Sequence, residues 1–459
     1  MVDSVVQGTA ELLVAGRGPA GRAFNRAVID SRQVQPGDLF FALRGEHRDG
    51  HDFVQDAVAR GAAGLVVERP LEAPPDVAVF QVSDSLSALQ RLAAHWRVRH
   101  DVRVVGVTGS VGKTTCKELI AAVLGTRWRV LKSPANLNTE IGLPLTLLEL
   151  TSEHQRAVLE MAMHGPGEID LLCGIAWPQI GVVTNVGPVH LERLGSIGAI
   201  AAAKAELVEA LPSDGVAVLN GDDPHVAAMA SRTKARVLLY GQSPQCDIRG
   251  SDLASRGLDG ISFRLTYGGS RPRQVKAPLP GRHHLYPALA AAAVGLVEGM
   301  TLTEVAAALR EARPELRLRV LPGPNGATIL DDSYNASPQS MLAALDLLAE
   351  LPGRRIALLG EMRELGAAEE EGHRQVGQRA AACADLILVL GERARPLYEA
   401  AQTTGRAYRQ AGPAEVRFLA SAQEAEPILR DELQPGDYLL VKASRAVALE
   451  SVVDALVAP

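Results

Sequence analysis

Lys113 and Thr114 follow two glycines, Gly109 and Gly112, at the end of an apolar run beginning at Val102. These residue types at this spacing are suited to holding phosphate. Glycines let backbone N–H groups approach phosphate oxygens, the lysine adds a positive charge, and the threonine hydroxyl can ligate Mg²⁺. Thr108, Ser110, Val111 and Thr115 complete the loop Thr-Gly-Ser-Val-Gly-Lys-Thr-Thr. It is a short variant, because Val107 stands where the general phosphate loop has its first glycine. Glycine-rich strand-to-helix turns are common without a ligand, but those ending in Gly-Lys-Thr-Thr rarely are. The loop therefore implies nucleoside triphosphate chemistry.

A triphosphate needs a metal, and two polar residues downstream stand at strand ends. Glu160 closes the apolar strand Arg156–Glu160, and His190 follows the strand and turn that start at Val183. Open α/β sheets collect ligands at the carboxyl ends of their strands. A lone histidine after a loop is more often a surface or capping residue, but both residues behind one phosphate loop point to a metal. Lys204, in Ala-Ala-Ala-Lys-Ala-Glu-Leu, reads by spacing alone as a solvated lysine on a helix.

Residues 1–100 read as a small α/β domain. Asp38–Leu43 and Gly64–Val67 have strand character, Phe53–Arg60 has helical spacing, and a helix over Ser87–Arg99 leads into the phosphate-binding strand. Residues 101–313 alternate strands and helices, including strands 156–160 and 180–185 and a packed alanine-rich helix over 288–296. That alternation predicts a doubly wound, mostly parallel sheet. The stretch 241–280, rich in Gly, Ser and Arg, is expected to be an excursion from it. Residues 314–459 form a third, Rossmann-like α/β unit with strands at 327–331, 355–360, 386–390 and 437–441. It lacks the Gly-x-Gly-x-x-Gly fingerprint, so no nicotinamide cofactor is expected.

At 459 residues the chain exceeds what one hydrophobic core supports and suggests roughly three domains. A net charge of −6 with interspersed signs gives no footprint for nucleic acid and no polybasic membrane patch. Cys116, Cys173, Cys246 and Cys383 are scattered without metal-ligand spacing, which suits a reducing compartment. With no signal-like start and no spanning run, a soluble, unprocessed cytoplasmic protein is expected.

Several segments together resemble the Mur ligases, ATP-dependent amide-forming enzymes of peptidoglycan precursor synthesis. They are the phosphate loop, Asn136-Leu-Asn-Thr-Glu-Ile-Gly-Leu-Pro144, Glu160-Met161, Thr184-Asn-Val-Gly-Pro-Val-His-Leu-Glu192 and Ala203-Lys-Ala-Glu206. The resemblance spans essentially the whole chain. Asp30-Ser-Arg32, Pro36–Leu43 and Asp49-Gly-His-Asp-Phe53 look like the family's UDP-sugar-binding domain. Leu330–Pro338, Leu359–Gly366 and His373–Gly377 are similar to the members that add D-alanyl-D-alanine. The Asp-Asn-Pro-Arg signature of the sibling that adds diaminopimelate is absent. Folylpolyglutamate synthetase, a relative, would leave the amino-terminal pattern unexplained.

The resemblance implies an ATP-dependent ligase joining D-alanyl-D-alanine to UDP-N-acetylmuramoyl tripeptide through an acyl phosphate, acting as a monomer. Lys113, Glu160, His190, Lys204 and Arg317 are implied to be catalytic. Thr114, Glu160, His190 and a carbamoylated Lys204 would hold two Mg²⁺ ions, which revises the solvated reading of Lys204. Loop residues 108–115, with Arg317 near the triphosphate and Asp332 near the ribose, would bind ATP. Ser31, Arg32, Asp49, Gly50, His51, Asn136, Asn138, Thr139 and Asn335 would meet the other substrates. His284 and Pro287 stand where the family usually has asparagines near the nucleotide base, Leu316 and Ala443 replace glycines, and Met163-His-Gly165 departs from Ala-Asn-His. The third domain is expected to close on the loop. A sibling ligase for another amine and a nucleotide-dependent binding protein without ligation remain the alternatives.

Overall fold

Short apolar runs that do not alternate become strands covered on both faces, and three sheets form along the chain. The computed structural model describes residues 5, 7–17, 23–45, 47–134, 136–189, 191–405 and 414–457. The first sheet has five strands in the spatial order Leu13–Arg17, Ala78–Val82, Gly64–Val67, Leu39–Phe41 and Ala27–Val28. Its first pair is antiparallel and the others are parallel. The strand expected over 38–43 is shorter, and the expected helix over 53–60 is Val54–Ala59, entered through the 3-10 turn Gly50–Phe53.

Helix α1 (Ser85–Val98) is capped by Asp84, whose carboxylate accepts the Ser87 N–H. Its Ala88, Leu89 and Leu92 lie in the first domain's core, while Ala93 belongs to a core of the central domain. Trp96 Nε1 donates to the Leu150 carbonyl at 3.0 Å, and Arg97 Nε to the Ala176 carbonyl at 3.0 Å. One helix thus joins the two domains through shared apolar faces and satisfied polar ends.

The central sheet has nine strands. It includes β1 (Arg103–Thr108), β2 (Val130–Lys132), β3 (Arg156–Glu160) and β4 (Ile180–Val183), arranged β4-β1-β3-β2 at one end. Pairing is parallel from β2 across to Ile248–Ser255. Helix α2 (Lys113–Gly125) and helix α4 (Leu285–Val297) pack together on one face through Cys116, Leu119, Ile120, Val123, Ala288 and Ala292, while α3 (Ile197–Glu209) covers the other through Ala203 and Leu207.

The stretch 241–280 is not an excursion. Ile248–Ser255, Ile261–Tyr267 and Arg273–Ala277 extend the same sheet, the last two pairings being antiparallel. Ile261, Phe263, Leu265, Val275 and Ala277 face the core at every second position, while Arg264 and Lys276 face solvent. The polar half of that alternation gave the segment its loop-like composition.

The third sheet runs in the order Arg319–Pro322, Thr328–Asp331, Tyr438–Lys442, Arg355–Gly360, Leu386–Leu390 and Glu415–Leu419, antiparallel only at its first pair. Helix α5 (Pro338–Ala349) starts at a Ser337 capping box, with proline in its first turn. Among the described residues, no helix is long and apolar enough to cross a membrane.

Candidate active site

The phosphate loop is pressed against the end of β4. Gly109 has φ +146°, and a Cβ there would sit 1.8 Å from Thr184 Oγ1; Gly112 has φ +83° and caps α2. No other residue type fits the first position, and the second suits glycine. The segment after β4 braces the loop. Ser110 N–H donates to the Asn185 carbonyl at 2.9 Å, and Ser110 Oγ accepts the Gly187 N–H at 2.8 Å. Val111 donates its N–H to Asn185 Oδ1 at 2.9 Å and accepts from Thr184 Oγ1 and Asn185 Nδ2 at 2.8 and 2.9 Å. The loop is therefore fixed before any ligand arrives, which lowers the reorganisation needed to bind phosphate.

Lys113 folds back over the loop, Nζ donating to the Gly109 and Ser110 carbonyls at 2.8 and 3.3 Å. Burial pushes its ammonium below the usual lysine range; nearby Glu160 opposes that shift and Arg317 adds to it. Thr114 Oγ1 donates to Glu160 Oε2 at 2.9 Å, and Asn138 Nδ2 donates to Glu160 Oε1 at 2.8 Å. Thr108 ends β1 with a buried hydroxyl that has no hydrogen-bond partner among the described residues, and Thr115 lies in the first turn of α2.

Lys204 is not the solvated lysine its spacing suggested. It projects from the buried face of α3, is 2% exposed, and makes no ion pair or hydrogen bond among the described residues. Burial, followed by the charge on Lys113, holds its amine well below the usual lysine range. His190 lies outside the described residues.

The third domain reaches this mouth directly. Arg317 Nη2 donates to Thr114 Oγ1 at 2.9 Å, and its guanidinium lies 4.4 Å from the Tyr334 ring centroid. Arg445 shares that ring at 5.4 Å. Asp332 is paired with the buried Lys442 at 2.5 Å, and Lys442 also donates to the Asn335 carbonyl at 2.9 Å. Asn335 turns its side-chain oxygen onto the Ala336 N–H at 2.9 Å. A second contact between the domains, Arg282 to Glu350 at 2.7 Å, borders a cleft of about 270 Å³ lined by His283, Gln339 and Asp346. Beside it the His283 and His284 rings lie 4.0 Å apart, and burial pushes His284 down to about 4. Pro287 stands against Gly112 at the start of α4. The third domain thus meets the phosphate loop through the Arg317–Thr114 contact.

The amino-terminal candidates form a separate patch. Asp30 caps the turn Ser31–Gln33 and pairs with Arg32 at 2.7 Å, and the Arg32 side chain holds its carboxyl below the usual range. Asp49 meets His51 Nδ1 at 2.6 Å, while His51 Nε2 accepts the Glu68 N–H at 2.8 Å. Gly50 is needed for close packing, since a Cβ would lie 2.7 Å from the Leu43 backbone N and O. Among the Asn136–Thr139 candidates only Asn138 reaches the loop's mouth. Asn136 accepts the Asn138 N–H at 2.8 Å, and Thr139 accepts the Gly142 N–H at 3.5 Å.

Sequence reasoning missed the braces Thr184 and Asn185, the Arg317 platform Tyr334, and Lys442. The first two carried a signal, as polar residues directly after an apolar strand. The others become visible only once the third domain is folded.

The donors at the mouth suit Mg²⁺, which prefers few protein oxygens. The Thr114 hydroxyl and the Glu160 carboxylate meet there. Among the described residues no group of three or more His, Cys, Asp or Glu could hold a metal.

Three domains around an ATP-type phosphate loop, with an arginine reaching that loop from the third, define a ligase-like nucleotide-dependent enzyme architecture. The chain belongs to the Mur ligase family. It matches the family's catalytic domain over residues 26–97, its middle domain over 107–295 and its glutamate ligase domain over 316–445. It is 41% identical over 438 residues to the UDP-N-acetylmuramoyl-tripeptide--D-alanyl-D-alanine ligase of Synechocystis sp., covering 95% of this chain and 92% of that one. The MurF structure from Acinetobacter baumannii superposes with a TM-score of 0.88 at 29% identity, over 100% of this chain and 98% of that one. The MurF ligase from Thermotoga maritima, solved in complex with ADP, gives 0.81 at 30% identity over 95% and 98%.

Proposed function

We propose that this chain is an ATP-dependent amide ligase that joins D-alanyl-D-alanine to UDP-N-acetylmuramoyl tripeptide, acting as a cytoplasmic monomer. The observation that carries this reading is the contact from Arg317 to Thr114, which brings a charge from the third domain onto the phosphate loop. The full-length similarity to ligases of that name supports the substrates.

The terminal carboxylate of the tripeptide attacks the γ-phosphorus of ATP, releasing ADP and leaving an acyl phosphate. The amine of D-alanyl-D-alanine then attacks the acyl carbon, and phosphate leaves from the tetrahedral intermediate. Two easier steps replace one hard one without a protein nucleophile. Lys113 exchanges its loop carbonyls for phosphate oxygens and, with Arg317, neutralises charge on the transferring group. Closure of the third domain excludes water that would otherwise hydrolyse the acyl phosphate.

Mg²⁺, held through Thr114, Glu160, His190 and a carbamoylated Lys204, would supply charge neutralisation for the phosphoryl oxygens. Burial and the Lys113 charge favour the neutral amine of Lys204, the form that adds CO₂, and the resulting carbamate anion is attracted to the Lys113 ammonium. The loop residues 108–115 bind the phosphates, with Asp332 turning from Lys442 to the ribose. Ser31, Arg32 and the Asp49–His51 turn border the sugar nucleotide, and Asn136, Asn138, Thr139 and Asn335 border the peptide substrates. Residues 1–100, 101–313 and 314–459 are the units that hold the UDP substrate, ATP and the incoming dipeptide.

The test is phosphate release with Mg-ATP and UDP-N-acetylmuramoyl tripeptide, with and without D-alanyl-D-alanine, alongside product mass. Release that needs both substrates, with a pentapeptide product, is expected. Release with another amine only, or none, overturns the assignment.

A further inference from the structure

β2 and β3 run parallel, and their ladder stops at Glu160, whose carboxylate meets Thr114 of the phosphate loop. The register pairs Lys132 with Val158, and Ser133 N–H still donates to the Val158 carbonyl at 3.1 Å. In a parallel ladder the next rung would run from Glu160 N–H to the Ser133 carbonyl. It does not form. Glu160 N–H donates instead to Ser133 Oγ at 2.9 Å, and the freed Ser133 carbonyl accepts from Lys117 Nζ at 2.7 Å.

Each member of this substitution is buried: Lys117 is 0% exposed, Ser133 1% and Glu160 1%. Lys117 also lies 3.1 Å from Glu118 Oε1, and Lys132 Nζ meets Glu118 Oε2 at 2.5 Å. Burying such charges carries a desolvation cost that an apolar side chain on α2 would avoid. What the arrangement gains is local. The two strands part where the chain must diverge to bring Asn138 Nδ2 onto Glu160 Oε1, while Thr114 holds Oε2. With both carboxylate oxygens and the backbone N–H fixed, Glu160 has one orientation.

We propose that Lys117 and Ser133 are positioning residues that hold the strand end open and thereby aim the Glu160 carboxylate at the nucleotide's metal. This rests on Glu160 being a magnesium carboxylate, as proposed above. Lys117 acts from behind the sheet, touches no substrate, and works through the Ser133 carbonyl.

The experiment compares Lys117→Met, Ser133→Ala, the double variant and Glu160→Gln in the full chain. Melting temperatures are measured with and without Mg-ADP, and turnover is measured against Mg²⁺ concentration. Both single variants are expected to melt cooperatively, to lose at least half of the Mg-ADP-induced rise in melting temperature, and to need several-fold more Mg²⁺ for half-maximal turnover. The double variant is expected to be little worse than either single one, because both break the same link. A purely structural role would lower the melting temperature and leave the Mg²⁺ requirement unchanged. If Lys117→Met does not fold, Ser133→Ala decides alone. Wild-type Mg²⁺ dependence and Mg-ADP stabilisation in Ser133→Ala would overturn the proposal, provided Glu160→Gln loses both. If Glu160→Gln keeps both, the assignment of Glu160 itself fails.

Discussion

The mouth of the phosphate loop and the amino-terminal patch around Arg32 and His51 are both rich in polar residues with suggestive spacing, yet the fold uses them differently. At the mouth, Thr114, Glu160, Asn138 and Arg317 come from four separated segments and converge on one place. Near Lys113, Lys204 is buried and makes no ion pair or hydrogen bond among the described residues. In the patch, polar atoms are spent on each other over short range: Asp30 on Arg32, Asp49 on His51, and His51 on the Glu68 N–H. Convergence of polar side chains from distant segments, beside a buried lysine amine, marks a candidate site. Local reciprocal pairing indicates a built turn, whatever else that turn contacts.

The largest effect that could break this contrast is at Lys204. Lys204→Ala is expected to lower turnover by more than about a thousandfold, with partial recovery on adding formate or acetate to stand in for the carbamate. Full activity in the variant would remove the carbamate from the scheme. Arg317→Ala comes next. Turnover should fall by roughly a hundredfold while the KM for ATP changes by less than about threefold, because the arginine meets the loop from another domain. Equal losses in both would mean that it merely binds nucleotide.

His51→Ala sharpens the other side of the comparison. It leaves the Glu68 N–H without its partner and removes the ring's contact to Asp49, whose Oδ1 keeps the backbone N–H of residue 51, at a cost of about 1–3 kcal/mol in stability. A shifted urea midpoint with unchanged kcat would make His51 a scaffold residue. A large rise in the KM for the UDP substrate without that shift would move it to the binding surface. Arg32→Ala should have the smallest effect, raising that KM by roughly fivefold at most with no change in kcat or melting temperature, since the side chain is exposed. Salt-sensitive KM in the wild type, lost in the variant, would confirm that the contact is electrostatic.

Much of the fold was legible because its strands are short apolar runs between helical spacings. β3 and the strands Gly64–Val67, Arg355–Gly360 and Leu386–Leu390 have the expected bounds. The segment 241–280 misled because Arg264 and Lys276 belong to the solvent face of alternating strands and several of its glycines to the turns between them, and composition averages these with the buried face. Within the candidate site the loop residues were legible, since Gly109 and Gly112 are demanded by local backbone geometry. Lys204 was misjudged by spacing because a helix's periodicity does not say which of its faces the next layer covers.

The sequence by itself determined the phosphate loop, the order of strands and helices, and the division into three sheets, because each depends on residues close together along the chain. Only the tertiary structure decided that Lys204 is buried beside Lys113, that Arg317 crosses from one domain to another domain's loop, and that Lys117 takes a carbonyl released by a broken ladder. Those outcomes depend on contacts between segments tens to hundreds of residues apart. Burial and charge act through space, so no local pattern along the chain records them.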